Sequence, residues 1–155
     1  MTNADPGQQK HQQQERLLQL AVRKEVGLVS DALEPDVRAL AESLTDAPKL
    51  DTTQVRNLEN LAYSTDKVSD ITDFLKRQIG RSGPGERWRY EQAGLRMLDA
   101  LTGLRQRAES LVNDLRGGNY GAAIDSDLPR RVHLKLCQEY IKHLAAEFLY
   151  RYRAK

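Results

Sequence analysis

Residues 86–118 have the sequence ERWRYEQAGLRMLDALTGLRQRAESLVNDLRGG, and this stretch decides the fold class of the chain. Apolar side chains return at every third or fourth position, at Met97, Leu101, Leu104, Ala108, Leu111 and Leu115. A repeat of about 3.6 residues is typical of an amphipathic α-helix. The Gly117-Gly118 pair is a strong helix terminator. The stretch therefore predicts one long helix from about Glu86 to Arg116.

Helical spacing continues on both sides of this stretch. It predicts helices over residues 15–30, 35–44, 52–62 and 66–79, and a closing helix over residues 128–152. Thr52 and Thr53 are candidate N-caps for the third of these helices. No segment shows the sustained alternation of a β-strand. We therefore expect an all-α fold, a single-domain bundle of five to six helices.

The first fourteen residues, MTNADPGQQKHQQQ, differ in composition from the rest of the chain. They contain almost no apolar side chains, so burial offers little to offset the entropy of ordering them. We predict a disordered tail over residues 1–14 and a helical bundle over residues 15–155, with its core in residues 50–155.

Composition also bears on the compartment. The chain has 155 residues and a single cysteine, Cys137, which cannot form an internal disulfide. No window approaches 18 consecutive apolar residues, so we expect no membrane span. The sequence shows no secretory signal, and we expect a reducing, cytoplasmic location.

The net charge of +2 conceals an uneven distribution. Residues 1–75 carry eight basic and thirteen acidic side chains, whereas residues 129–155 carry seven basic and two acidic ones. A basic C-terminal half suggests a polyanionic partner, while the acidic half would face water or a basic protein surface. Uneven solvation of surface helices explains the same counts equally well.

Motifs for catalysis are absent from the sequence, including the P-loop, GxGxxG, HExxH and GxSxG patterns. We therefore expect no catalytic residue, no cofactor and no enzymatic activity. The set most similar to a metal site is His133 and Cys137, with His143 and Glu147 on the same helix. His143 falls on another side of that helix, and no second His or Cys cluster could complete the site. We expect these residues to be structural and the protein to bind no metal.

Basic residues form two rows when the predicted helices are drawn at 100° per residue. The first row lies on the closing helix, away from its apolar side, and the second lies beside the apolar side of the long helix. Such rows can follow a phosphate backbone without reading its sequence. The alternative is a solvated surface with pairs within each helix, such as Glu91 with Arg87. The rows, as candidate RNA contacts, are Arg131, Lys135, Lys142 and Arg153 on the closing helix and Arg89, Arg96 and Arg107 on the long helix.

Trp88 lies opposite the apolar side of the predicted long helix. It could cover a neighbouring helix, stack on a base, or anchor a partner subunit. We predict that Trp88 lies at or near a contact between subunits.

One segment resembles a known family. Leu50-Asp51-Thr52-Thr53-Gln54-Val55-Arg56 is similar to the Leu-Thr-Thr-Ser-Gln-Ile-Arg opening of the core bundle in the small helical subunits of type III CRISPR effector complexes. The later order is also similar, with Phe74-Leu75-Lys76, a break, Trp88-Arg89-Tyr90 and an Arg-bearing long helix, then a closing helix rich in Tyr, Ala and basic residues. The likeness covers residues 50–155. It departs at Asp51, where the family prefers Thr, and residues before 50 have no counterpart.

The resemblance implies a non-catalytic subunit that stacks along a ribonucleoprotein and holds target RNA past the guide. The implied partners are target RNA, the guide ribonucleoprotein, the backbone and large CRISPR subunits, and neighbouring copies of the same subunit. Arg56 is carried over from the matching motif as a candidate RNA contact. The chief alternative is a helical protein–protein adaptor with no nucleic-acid role.

Overall fold

The structure is a computed structural model that describes residues 5–154. Over this range it contains six α-helices and two short 3₁₀ segments and no β-strand, which confirms the predicted all-α fold. The α-helices are α1 (Pro6–Ala32), α2 (Glu34–Asp46), α3 (Thr52–Ser64), α4 (Val68–Arg81), α5 (Ala93–Arg116) and α6 (Leu128–Ala154). The 3₁₀ segments are Arg87–Gln92 and Gly121–Ala123.

Helix α6 lies at the centre of the bundle and contacts each of the other five α-helices of the described chain. Its side chains from Leu128 to Phe148 join one hydrophobic core that begins at Leu18 of α1. Helix α5 packs against α6 where the Leu101 carbonyl oxygen lies 2.9 Å from His133 Nε2. Because a carbonyl oxygen only accepts, His133 carries its proton on Nε2 in this bond. The Cys137 thiol also donates to this carbonyl oxygen, at 3.7 Å.

Helix α3 begins with a reciprocal pair of hydrogen bonds. The Asp51 carboxylate accepts from the Gln54 backbone N–H at 3.2 Å, and the Gln54 side-chain oxygen accepts from the Asp51 N–H at 3.0 Å. This capping box satisfies backbone donors that the first turn would otherwise leave unpaired. The N-cap is therefore Asp51, and neither Thr52 nor Thr53 serves as the cap.

The predicted tail is wrong for residues 6–14, because α1 begins at Pro6; residues 1–4 lie outside the described residues. Proline suits the first helical position, and glutamine is a good helix former. Gln14 also donates a hydrogen bond from Nε2 to the Asn119 carbonyl oxygen at 3.5 Å. A polar sequence can extend a helix whose later turns are already anchored by a buried residue such as Leu18.

The predicted start of the long helix is also wrong, because residues 87–92 form a 3₁₀ segment and α5 begins only at Ala93. Glu91 and Gln92 adopt left-handed backbone angles, with φ of 49° and 57°. Such a conformation is unfavourable for residues other than glycine and needs tertiary support. Trp88, just before it, is fully buried in the core. A side chain at Gly94 would meet Ile79 Cγ1 at 2.5 Å, so glycine permits the close approach of α4.

No helix within residues 5–154 combines the length and apolar content that crossing a bilayer requires.

Candidate nucleic-acid interface

The outward side of α6 carries the predicted row of basic residues. Lys135, Lys142 and Arg153 are exposed and lie about 180–200° around the helix from His133, which faces α5. The periodicity of α6 had predicted this position correctly. The row therefore faces solvent on the side of α6 opposite to its contact with α5.

Two of the four cations in this row are already paired. Arg131 Nη2 lies 3.3 Å from Asp125 Oδ1, and Lys142 Nζ lies 3.0 Å from Glu139 Oε2. The hydrogen bond from Lys142 to Glu139 raises the pKa of Lys142. Lys135 and Arg153 have no carboxylate partner among residues 5–154. The outward row is thus half neutralised. The Lys142 pair lies within α6, as the alternative of pairing within each helix predicts, whereas Asp125 belongs to the loop before α6.

Helix α3 runs antiparallel beside this row. Gln138 Nε2 donates to the Ala62 carbonyl oxygen at 2.9 Å, and Arg130 Nη1 donates to the Asp66 carbonyl oxygen at 2.8 Å. Higher residue numbers on α6 therefore pair with lower numbers on α3. The N-terminal half of α3 lies towards the C-terminal end of α6.

Tyr63 of α3 is half exposed next to the row and was not singled out from the sequence. Partial burial raises the pKa of Tyr63, while the charge of Lys142 opposes this effect and that of Glu139 adds to it. The charges of both α6 side chains therefore act on the Tyr63 phenol. The sequence could have indicated Tyr63 by its spacing from Arg56, because seven residues along a helix return to the same side within about 20°.

Arg56 is exposed and has no ion-pair or hydrogen-bond partner among the described residues. It lies about 10 Å from Tyr63 along α3, in the direction of the C-terminal end of α6. One candidate RNA contact of α3 thus lies on the same surface as three candidate RNA contacts of α6. We call this surface the α3/α6 face, defined by Arg56, Tyr63, Lys135, Lys142 and Arg153.

The predicted row on the long helix does not exist as drawn. Arg89 lies on the 3₁₀ segment, where its Nη1 donates to the Ser82 carbonyl oxygen at 3.3 Å. Arg96 Nη1 donates to Ser43 Oγ of α2 at 2.9 Å. The residues before Ala93 are not α-helical, so the rotation of 100° per residue that predicted this row does not apply between Arg89 and Arg96. The two side chains are therefore not aligned. Arg107 is exposed on α5, which the core separates from the α3/α6 face.

The predicted role of Trp88 at a subunit contact is wrong. Trp88 is 0% exposed, and a side chain without exposed surface cannot contact another subunit. The prediction failed because it placed Trp88 on a regular helix, whereas the 3₁₀ segment turns the indole into the core.

The metal-like set of side chains is occupied by protein contacts. Cys137 is fully buried, and burial raises the pKa of its thiol to about 12. His143 Nε2 lies 3.3 Å from a Glu139 carboxylate oxygen, and Glu147 pairs with Arg151 at 2.9 Å. No three His, Cys, Asp or Glu side chains within residues 5–154 are grouped to hold a metal ion.

A groove of about 750 Å³ separates α1 from the N-terminal half of α6. Its floor is apolar and includes Val22 and Val132, while its rim includes Arg23, Lys135 and Glu139. The groove lies next to the α3/α6 face through Lys135. Its rim mixes both signs of charge, so it does not by itself indicate a ligand.

Comparison with known proteins adds no further constraint, because no family model, no curated protein and no solved structure matches the chain.

Proposed function

We propose that the protein is a non-catalytic RNA-binding subunit that holds single-stranded RNA by its phosphates along the α3/α6 face. The observation that carries this proposal is the exposed row on α6. Lys135, Lys142 and Arg153 span 18 residues on one side of a continuous helix, a length of about 27 Å. Cations at such intervals can neutralise successive phosphates and release counterions, without reading the base sequence.

The ion pair within this row is compatible with phosphate binding. Lys142 and Glu139 are both partly exposed, and exposed ion pairs contribute little net stability because water solvates the separated charges well. A phosphate oxygen can therefore replace the carboxylate at Lys142 without a large loss. Arg131 is held by two aspartates, Asp125 and Asp127, and we place it outside the proposed contact surface.

Tyr63 adds a second kind of contact. An exposed aromatic ring beside a row of cations is typical of surfaces that bind single strands, because a base can stack on the ring while the phosphates meet the charges. Tyr63 shares its side of α3 with Arg56, and the charge of Lys142 on α6 acts on its phenol, so a base of a strand that follows these cations can stack on the ring.

We further propose that this subunit belongs to a type III CRISPR effector complex, as the likeness of residues 50–56 suggests. The capping box gives that likeness a physical meaning. Asp51 is the N-cap of α3, and threonine is also a favoured N-cap residue, so Asp51 and the family's Thr are compatible with the same helix start. Gln54 and Arg56 match the family's Gln and Arg; in this chain Gln54 completes the capping box and Arg56 is exposed.

The RNA proposal is tested by fluorescence anisotropy with a labelled single-stranded RNA of about 20 nucleotides, titrated at several salt concentrations. We expect weak binding without sequence preference. The variant Lys135→Glu/Lys142→Glu/Arg153→Glu should bind at least about tenfold more weakly, with a log–log salt slope shallower by about 2.

The matched control is Lys76→Glu/Arg77→Glu/Arg116→Glu, which changes the net charge equally at exposed positions of α4 and α5. It should retain most of the affinity. Tyr63→Ala should weaken binding, whereas Tyr150→Ala, which removes an exposed ring elsewhere on α6, should not. Equal losses of RNA affinity in the two triple variants would show that binding depends on net charge alone and that the α3/α6 face is not the binding site.

The CRISPR assignment has its own test in the genes beside the one that encodes this chain. We expect a CRISPR array and a gene for a large polymerase-like subunit. If neither is present, the assignment to an effector complex fails, while the RNA-binding measurement stands by itself.

A helical adaptor is the second candidate, and one observation favours it. Leucines 17, 20 and 28 of α1 are exposed on a side of the helix that packs against nothing in the described chain. This surface is separate from the α3/α6 face, so the two functions are compatible.

A further inference from the structure

Helix α1 has two apolar sides, of which the bundle uses one. Leu18, Val22 and Val26 are buried against the rest of the protein. The opposite side carries Leu17, Leu20 and Leu28, which are 48%, 59% and 55% exposed. These three leucines fall within about 80° of one another around the helix. A single exposed leucine is ordinary, whereas a cluster marks an interaction surface.

The clustering is specific to α1. Leu95 on α5 is the other strongly exposed leucine among the described residues, at 48%, and it stands apart from the three leucines of α1. Leu17, Leu20 and Leu28 lie on one side of α1 over about 16 Å, with Lys24 between Leu20 and Leu28, so they form a narrow apolar seam.

The same side of α1 is basic. Three cations lie along or beside the leucine seam, and none of them forms a salt bridge within the described residues: Lys10, Arg16 and Lys24. The acidic residues on that side, Asp5 and Asp31, stand at the two ends of the helix. Of the central acids, Glu15 lines the groove towards α6 and pairs with His11 at 3.0 Å. Glu25 lies about 60° around the helix from Leu28, outside the seam.

We propose that this outer face of α1, defined by Leu17, Leu20, Leu28, Arg16 and Lys24, docks an acidic amphipathic helix of a partner protein. The leucines would supply the apolar seam, and carboxylates flanking the partner's own apolar side would pair with the two cations. Helix α1 has 27 residues, about 40 Å, which is long enough to align with several turns of a second helix.

A bilayer fits this face less well than a helix does. Lys24 lies within the leucine seam, about 40° from both Leu20 and Leu28. A membrane-surface helix needs a broad and uninterrupted apolar side. A partner helix needs only a narrow seam, and it can offer a carboxylate directly to Lys24. The positive charge of the face and the small width of its apolar seam therefore both favour an acidic helix over a bilayer.

The test uses a synthetic peptide of about 21 residues, with leucine at the first and fourth position of each heptad and glutamate flanking this seam. A matched peptide carries lysine in place of glutamate. Binding to the full chain is measured by fluorescence anisotropy of each labelled peptide. We expect the acidic peptide to bind and the basic peptide not to bind.

Two variants locate the binding to α1. Leu20→Ser/Leu28→Ser should weaken binding of the acidic peptide at least about tenfold. Leu95→Ser, at an equally exposed leucine of α5, should leave it unchanged. Arg16→Glu/Lys24→Glu should also weaken it about tenfold, while Lys76→Glu/Arg77→Glu on α4 should not. If circular dichroism shows that the double serine variant does not fold, the charge variants alone decide whether the acidic peptide binds this face of α1.

Three outcomes would overturn the proposal. One is that the acidic peptide does not bind. Another is that the chain binds vesicles of phosphatidylserine and phosphatidylcholine, and loses this binding in the double serine variant, which would assign the face to a membrane. The third is a monomer–dimer equilibrium in sedimentation that the same variant abolishes, which would assign the face to a second copy of the chain. None of these readouts involves RNA, so they are independent of the α3/α6 face.

Discussion

The guanidinium of Arg96 donates a hydrogen bond to the hydroxyl of Ser43, with Nη1 2.9 Å from Oγ, and so joins α5 to α2. The Ser43 hydroxyl in turn donates a hydrogen bond to Glu91 Oε2, at 2.8 Å. Glu91 is one of the two residues held in a left-handed conformation just before α5. The chain Arg96–Ser43–Glu91 therefore fixes the turn into α5 from the side of α2, and it gives Arg96 a structural role.

Replacing Arg96 should cost stability and leave RNA binding intact. Arg96→Ala removes a charged donor from Ser43, so we expect the free energy of unfolding to fall by about 1–2 kcal/mol. Arg107→Ala, at an exposed position of the same helix, should change it by no more than about 0.5 kcal/mol. Urea denaturation measures both. An Arg96→Ala variant with parental stability and reduced RNA affinity would reinstate Arg96 as an RNA contact.

Trp88 should behave as a core residue. Because its indole is fully buried, Trp88→Ala should lower the free energy of unfolding by about 3–5 kcal/mol. That loss is a large part of the stability of a small domain, so Trp88→Phe provides a milder variant that should remain folded. Chemical denaturation followed by circular dichroism measures the change. A loss below about 1 kcal/mol for Trp88→Ala would show that the indole is not packed as the structure has it.

The sequence predicted the helices well where local signals and tertiary packing agree. The apolar repeat from Met97 to Leu115 and the Gly117-Gly118 terminator gave the body and the end of α5 correctly. The start of α5 failed because the left-handed backbone at Glu91 and Gln92 has no local signature. It depends on burial of Trp88, which a helical wheel drawn through non-helical residues cannot foresee.

The candidate site, like the fold, was predictable from the sequence only where helical periodicity applies. The exposure of Lys135, Lys142 and Arg153 followed from the periodicity of α6, which the structure retains. The pairing of Arg131 with Asp125 depends on the loop before α6, and periodicity says nothing about a loop. Tyr63 became part of the site only when the packing of α3 against α6 was known. Contacts between helices were thus the information that the sequence did not supply.

Stability should fall at alkaline pH because of two buried acids in α6. Burial is the main cause that raises the pKa of both Cys137 and Tyr140 to about 12, from usual values of 9.0 and 10.0. Both groups are neutral when protonated, and in the unfolded chain they ionise at lower pH than in the folded protein. Their contribution is therefore complete below about pH 9 and is lost progressively between about pH 9 and 12.

Measuring the free energy of unfolding by urea titration between pH 8 and about pH 11 tests this expectation. The double variant Cys137→Ala/Tyr140→Phe should show a shallower decline than the parent, whatever its stability at pH 8. Tyr150→Phe, which removes an exposed hydroxyl, should decline as the parent does. Identical slopes for parent and double variant would mean that the two groups are solvated in the folded protein.

The outward and buried sides of α6 should give opposite rankings of stability and RNA affinity. Ile141, Leu144 and Phe148 are fully buried, so truncating any of them to Ala should cost about 2–5 kcal/mol. Lys135→Ala and Arg153→Ala should each stay within about 0.5 kcal/mol of the parent, because both side chains are exposed and unpaired among the described residues. RNA affinity should fall for the two exposed variants. It should persist in the buried variants at temperatures where they remain folded.

Thermal denaturation and anisotropy on the same samples give both rankings. If Lys135→Ala and Arg153→Ala bind RNA as well as the parent does, the outward row is only solvated, and the proposed RNA role loses its main physical support.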